Sequence, residues 1–342
     1  MKQLVTAAAA LMAGVLLSIP SASAQQSSIL ETVKSRGQLF CGVNTGIAGF
    51  SAPDDQGEWK GLDVDLCRAL SAAIFKDPNR VKYVPLTAKE RFTALQSGEI
   101  DVLSRNTSWT MSRDTSAGLS FAGINYFDGQ GFMIKKSLGV VSAKELSGAS
   151  ICVQTGTTTE RNLADFFRAN KMDYKPVVYE KLPQLVESYN AGRCDAFTTD
   201  VSQLYAIRLT LGKADDHIVL PEIISKEPLG PVVRQGDAQW LKIVRWTLNA
   251  MLNAEELGVE QANVDAMLNS PDPAIRRLLG SEGSYGQGLG LDNDWAYQII
   301  KHVGNYGESF ARNVGAQSPL GIARGQNALW KDGGLHYAPP IH

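Results

Sequence analysis

Two hydrophobic periods alternate along the chain. Leu39–Val43 is a short apolar run, and Asp63–Phe75 then carries Val64, Cys67, Leu70 and Ile74 at helical spacing. Val81–Pro85 is rich in β-formers, Lys89–Ser97 is helical and Asp101–Ser104 reads as a buried strand. The order returns downstream, with strands at Ser150–Val153, Pro176–Glu180 and Asp195–Thr198 separated by helices at Thr158–Ala169 and Leu182–Ala191. Strands alternating with helices cover both faces of a parallel sheet, so the pattern predicts an α/β chain with two such sheets. Past Gly230 a long amphipathic helix is expected from Asp237 to Ala254, with Trp240, Val244, Leu248 and Leu252 on one stripe. Beyond Pro271 the chain is rich in Gly, Asn and Trp, with helical signals near Asn293–Val303 and Gly307–Asn313. Gly286-Gln-Gly-Leu-Gly290 has no strand before it, so it reads as a loop or helix entry and not as a phosphate loop.

The two series also match in residues. Leu95-Gln-Ser-Gly98-Glu-Ile-Asp101-Val-Leu-Ser104-Arg-Asn106 lies over Tyr189-Asn-Ala-Gly192-Arg-Cys-Asp195-Ala-Phe-Thr198-Thr-Asp200. Each is a helix end stopped by Gly, then a strand led by Asp, then polar residues at the strand's carboxyl end. Cys41-Gly-Val-Asn-Thr-Gly46 resembles Cys152-Val-Gln-Thr-Gly156 in the same way. Ligands of open α/β sheets bind beyond the carboxyl ends of the strands. That rule points to Asn44–Gly46, Asn106, Gln154–Thr158 and Asp200.

The N-terminus changes the compartment. Met1 and Lys2 precede an apolar run from Leu4 to Ile19, and Ser21-Ala22-Ser23-Ala24 offers an Ala-x-Ala cut before Gln25. Residues 1–24 are therefore expected to be a signal peptide, cleaved after Ala24, with the mature chain periplasmic. The run is short for a spanning helix, and no Cys sits at the cut to carry a lipid. The sequence holds 33 basic and 35 acidic residues; loss of Lys2 leaves 32 against 35, a net charge of −3. Such a balance gives no reason to expect nucleic acid or an anionic membrane as partner. Four cysteines in an exported chain favour disulfides, and their count permits three connectivities. No Cys-x-x-Cys occurs, and none of the four histidines has a ligand at zinc-site spacing, so neither metal nor cofactor is expected.

Ser104-Arg-Asn-Thr-Ser108-Trp-Thr110-Met-Ser-Arg113-Asp114, Val153-Gln-Thr-Gly156-Thr-Thr-Thr-Glu160, Gly61-Leu-Asp-Val-Asp65 and Phe121-Ala-Gly-Ile-Asn-Tyr126 occur together here. Jointly they resemble the polar-amino-acid class of periplasmic solute-binding proteins, across roughly Gly37 to Ala254. Within that class the chain is most similar to the general L-amino-acid binding proteins of Gram-negative bacteria, including the long tail through Asn327-Ala-Leu-Trp330. The resemblance implies a two-lobed periplasmic-binding-protein fold (type II), each lobe a parallel-rich sheet flanked by helices, with the ligand in the cleft. It implies a monomer that binds a free L-amino acid and delivers it to the permease subunits of an ABC importer.

By the same resemblance Arg113 falls at the arginine that holds the ligand α-carboxylate and Asp200 at the acid that holds its α-ammonium. Ser108 and Thr158 match further polar contacts to the ligand backbone. Taken singly, Arg113-Asp114 reads as a solvated helix start and Asp200 as a cap for the helix beginning at Val201. Their pseudo-symmetric placement favours ligand contact. The chemistry agrees: a guanidinium fork matches a carboxylate bidentately, and Thr157-Thr-Thr-Glu160 reads as a capping box that opens a helix N-terminus toward the cleft. Asn106 is a further candidate, although Asn often satisfies its own turn. Relatives stack the ligand side chain on aromatic residues where Ile47 and Ala88 align here, which favours broad specificity.

The implied fold divides the chain into lobe 1 (25–128 plus 231–342) and lobe 2 (129–230), with crossings near Phe127–Phe132 and Ile224–Val233. Gly129, Gly131 and Gly230 there suit backbone dihedral change. Strand order 2-1-3 in each lobe predicts Cys41–Cys67 and Cys152–Cys194 disulfides, both within lobes. The alternatives are an enzyme on the same fold, such as a dehydratase of amino-acid precursors, or a sensory amino-acid-binding module. No nucleophile motif or His–Asp pair supports the enzyme, and no linked signalling segment supports the sensor.

Overall fold

In the computed structural model, which describes residues 28–342, the two βαβ series build two sheets. The expected signal peptide and its cut lie outside the described residues. In the first sheet the strands run in the order Val81–Pro85, Leu39–Val43, Val102–Leu103, Val232–Arg234, Leu119–Phe121. The first three are parallel and the last two antiparallel to their neighbours. The second runs His217–Val219, Tyr126–Lys135, Ala196–Asp200, Ser150–Gln154, Lys175–Tyr179, the last three parallel. Each sheet thus places the second, first and third strands of its series side by side. Cys41 bonds Cys67 and Cys152 bonds Cys194, the pairs this order leads one to expect.

Local chemistry explains most element ends. Helix Leu62–Phe75 closes on Lys76 in a left-handed conformation, and Asp237 caps Ala238–Glu256 by accepting the Trp240 N–H. All four residues of the Trp240, Val244, Leu248, Leu252 stripe are buried. The helix expected at Lys89–Ser97 starts at Arg91, because Thr87 and Glu90 exchange hydrogen bonds in a tight turn before it. Gly286–Gly290 holds only a 3-10 turn, Gln287–Leu289.

The chain leaves the first sheet after Phe121 and enters the second at Tyr126. It returns along Ser225–Leu229, antiparallel to Tyr126–Lys135 with Tyr126 opposite Leu229. The C-terminal region packs on the first sheet's helices. Trp295, Ile299, Ile300 and Val303 are buried in one core with Leu66, Leu70 and Trp240. Beyond them Asn327 grips the crossing strand, accepting the Phe127 N–H (2.7 Å) and donating to the Phe127 carbonyl (3.0 Å). Among the described residues no helix is long and apolar enough to cross a membrane.

At the glycines named for the crossings the structure shows a steric requirement. None of Gly129, Gly131 and Gly230 has the positive φ that would call for glycine. All three lack room: a Cβ would stand 2.3 Å from Ile223 Cγ2, 2.7 Å from Val201 Cγ2 and 1.9 Å from the Gly123 carbonyl oxygen respectively. Backbone cannot yield as a side chain can, so Gly230→Ala should cost ~1–3 kcal/mol or more. Gly212→Ala, with nothing within 4 Å, should stay within ~0.5 kcal/mol. Denaturant melts of the two variants check the contrast, and equal midpoints would remove it.

Candidate ligand-binding cleft

The carboxyl ends of the parallel strands of both sheets meet across one polar cleft. On the first side Asp63, buried on helix Leu62–Phe75, accepts from Ser104 Oγ (3.2 Å), the Asn106 N–H (2.8 Å) and Asn125 Nδ2 (3.3 Å). These bonds hold Asn106 in the left-handed region, φ 33°, where Asn is tolerated. Its Oδ1 accepts from Asn44 Nδ2 at 3.1 Å. Thr110 then caps Met111–Ser116, and Arg113 Nη1 donates to the Ser108 carbonyl at 2.9 Å with its guanidinium 5.2 Å from the Phe92 ring centre.

On the second side Ser150–Gln154 turns at Gly156 into helix Thr158–Ala169. Thr157 Oγ1 accepts the Glu160 N–H at 3.2 Å, as expected of a cap. The reciprocal half of the capping box differs. The Glu160 carboxylate bonds the Gly156 N–H and Thr155 Oγ1, both at 3.1 Å, not the Thr157 N–H, because the left-handed Gly156 swings its amide into reach. Asp200 ends its strand 5 % exposed and makes no side-chain bond to the helix that follows. The capping explanation of Asp200 is therefore wrong. The two sides touch: Ser108 Oγ is 3.4 Å from Thr158 Oγ1, and Arg91 Nη2 is 3.5 Å from the Gly156 carbonyl oxygen.

Charges of both signs crowd this cleft. Burial, then the Asp128 and Glu227 carboxylates, raise Asp200 well above the ordinary carboxylate range, while Arg91 and a hydrogen bond from Asn106 oppose them. Burial also pushes Asp128 up to about 6 against bonds from Ser202 and Gly129. Burial pushes Arg113 down to about 10, with Glu227 and Asp200 pulling the other way. Arg105, bonded to the Leu86 carbonyl at 2.9 Å, is likewise pushed to about 10 by burial. Arg91 is 3 % exposed, its Nε has no partner, and burial holds it well below the ordinary arginine range. Beside these groups a pocket of ≈ 560 Å³ is lined by Phe92, Arg113, Thr157, Thr158, Arg161 and Asn162.

Arg113, Ser108 and Thr158 thus cluster, and Asp200 stands by Asn106. Ile47 and Ala88 do not join that polar cluster. Ile47 is buried and lines a separate apolar pocket of ≈ 450 Å³ with Leu182, Val186 and Ile207. Ala88 is buried in the turn that presses on Gly156. Among the charged residues of the cleft, Arg91, Asp128 and Glu227 escaped the sequence reading. Glu227 has a faint signal: Ser225, Glu227 and Leu229 alternate along their strand, which places a carboxylate on the face that buries Leu229.

A family model for bacterial extracellular solute-binding proteins, family 3, matches residues 39–260. The general L-amino acid-binding periplasmic protein AapJ of Rhizobium johnstonii is 62% identical over 322 residues, 94% of each chain. The glutamate/glutamine/aspartate/asparagine-binding protein BztA of Rhodobacter capsulatus is 57% identical over 321 residues, 94% of this chain and 95% of its own. An ABC transporter periplasmic binding protein from Brucella ovis, solved with glutathione bound, is 63% identical with a TM-score of 0.91. It covers 93% of this chain and 100% of its own.

Proposed function

Because the chain belongs to family 3 of the bacterial extracellular solute-binding proteins, we propose that it is the periplasmic substrate-binding subunit of an ABC importer for L-amino acids. The observation that carries this reading is the placement of Arg113 and Asp200 on opposite sides of one buried polar cleft. Arg113 takes the α-carboxylate together with the amides that open helix Thr158–Ala169. Asp200 takes the α-ammonium, while Ser108, Thr158 and Asn106 complete the contacts to the ligand backbone. The lobes are 25–128 with 231–342 and 129–230, and they close as a monomer that presents the amino acid to the permease subunits. The relatives are binding proteins and not enzymes, and residues 1–24 direct export and are cleaved off after Ala24.

Specificity is a difference of affinities that needs a repulsive or unpaired group against the rejected ligand. Arg113 and Asp200 read only what all L-amino acids share; AapJ is named a general L-amino acid-binding protein, and the name of BztA gives glutamate, glutamine, aspartate and asparagine. Several acidic, polar and aliphatic L-amino acids should therefore bind the ligand-stripped protein within about 1.4 kcal/mol, or tenfold. Calorimetric titration checks this, with glutathione included because its γ-glutamyl end also carries a free α-carboxylate and α-ammonium. One ligand ahead of all others by a thousandfold would refute breadth; no amino acid binding at all would refute the function.

The raised acids add a pH signature. An ammonium favours ionised carboxylates, so it lowers the pKa of Asp200 and Asp128, which burial raises in the empty cleft. Between the bound and free pKa values binding releases protons, and affinity rises with pH until it levels off above the free values. The sign for the empty protein is opposite. Acids raised by folding bind more protons folded than unfolded, so their contribution to stability falls as pH climbs through the raised range. Titrations from about pH 5 to 8 should show affinity increasing across the region near 6 set by Asp128. Affinity that is flat or falls with pH counts against the assignment.

A further inference from the structure

We infer that Glu227 is a positioning residue that fixes the hydrogen-bond polarity of the cleft, making the Ser108 and Thr158 hydroxyls acceptors and so favouring ligands that carry an ammonium. The inference rests on the amino-acid reading above and deepens it. Glu227 is 1 % exposed on the return strand Ser225–Leu229. Four donors converge on its two oxygens. Ser108 Oγ and Thr158 Oγ1 (2.8 Å) bond Oε2, and Asn162 Nδ2 (2.6 Å) and Ser225 Oγ (2.7 Å) bond Oε1.

A carboxylate only accepts, and a hydroxyl has one proton to give. Once Ser108 and Thr158 give theirs to Glu227, their remaining capacity is lone pairs. The two oxygens, one from each side of the cleft and 3.4 Å apart, then complement a group with several N–H bonds. An α-ammonium is such a group, and the nearby acids raise its local preference further. A ligand carboxylate or hydroxyl acceptor brought to the same oxygens finds no proton there. Glu227 has its own acceptor positions filled by protein donors, so it acts through the hydroxyls and does not touch the ligand. Backbone packing holds the arrangement: Ser108 pairs with Leu229, and the Trp109 N–H donates to the Pro228 carbonyl at 2.7 Å. The hydroxyl of Ser108 therefore stays in register with the return strand.

The test is a cycle of calorimetric Kd values for L-glutamate. It uses the wild type, Glu227→Gln, the pair Ser108→Ala with Thr158→Val, and the combination of all three. Glutamine keeps the shape but offers an N–H2 that forces a hydroxyl to turn its proton into the cleft. Glu227→Gln should weaken L-glutamate at least tenfold in the wild-type background and less than threefold once both hydroxyls are gone. It should also shrink the preference for L-glutamate over glutarate, which lacks the ammonium; loss of fold alone changes neither ratio. If Glu227→Gln does not fold, Asn162→Ala, which removes one of the two donors on Glu227 Oε1, should show a smaller loss that is likewise abolished without the hydroxyls. Losses that multiply across the cycle, no loss, or tighter binding by Glu227→Gln each overturn the inference. A wild type that fails to bind L-glutamate overturns the amino-acid reading for this ligand, and the inference with it.

Discussion

Arg113→Ala and Asp200→Ala should each weaken every L-amino acid alike, by roughly thirtyfold to several thousandfold. Closing the cleft strips water from both ligand charges, so removing one protein partner strands the other charge in a poorly solvated place. Truncating one member of such a buried pair costs ~2–5 kcal/mol, which converts to that range of affinities. Loss of Arg113 also removes its bond to the Ser108 carbonyl at 2.9 Å, so part of its effect comes through Ser108. Asp200 has a second signature. In the empty cleft its charge is opposed by burial and by the neighbouring Asp128 and Glu227 carboxylates. Neutralising it relieves that opposition, so Asp200→Asn should raise the melting temperature of the ligand-free protein while weakening binding. Calorimetry and thermal melts on the same preparations read both effects. An Asp200→Ala protein that binds its best ligand with unchanged affinity would sink the role given to this residue.

The largest effect on stability is expected at Asp65. Its Oδ2 accepts from Ser309 Oγ (2.7 Å), Arg312 Nε (3.0 Å), Arg312 Nη2 (2.5 Å) and Asn313 Nδ2 (2.6 Å). One buried carboxylate on helix Leu62–Phe75 thus anchors helix Tyr306–Asn313. Asp65→Ala leaves several donors facing a vacated site, and breaking a buried pair costs ~3–5 kcal/mol. Arg312 is about a third exposed and keeps its bond to the Val303 carbonyl at 2.7 Å, so solvent relieves it and the lower end, ~3 kcal/mol, is expected. The exposed pair of Lys301 and Asp265 offers a control. Its geometry is close, 2.6 Å, but solvent screening leaves an exposed pair contributing little. Urea melts should show Asp65→Ala destabilised by about 3 kcal/mol and Asp265→Ala little changed; equal midpoints would show that the tail is held by its apolar contacts alone.

What the sequence determined by itself was everything that short range chemistry sets. Helical and strand periods located the elements, because burial of one face imposes a spacing that the chain must display. The strand order 2-1-3 came with the fold that the resemblance implies, and with it the pairing of the four cysteines. The strand-end rule pointed to Asp200, whereas Arg113 was named only on the resemblance of the motif around it to a known family. The tertiary structure decided the rest. Glu227 meets Ser108 across a separation of 119 residues, and Asp65 meets Arg312 across 247; no local pattern encodes either meeting. The need for glycine at position 230 comes from the Gly123 carbonyl that lies against it, and the Glu160 bond slipped by one residue because Gly156 turns left-handed. Each of these depends on which distant backbone arrives at a given point. Periodicity reports that a position is buried, and only the fold reports what it is buried against.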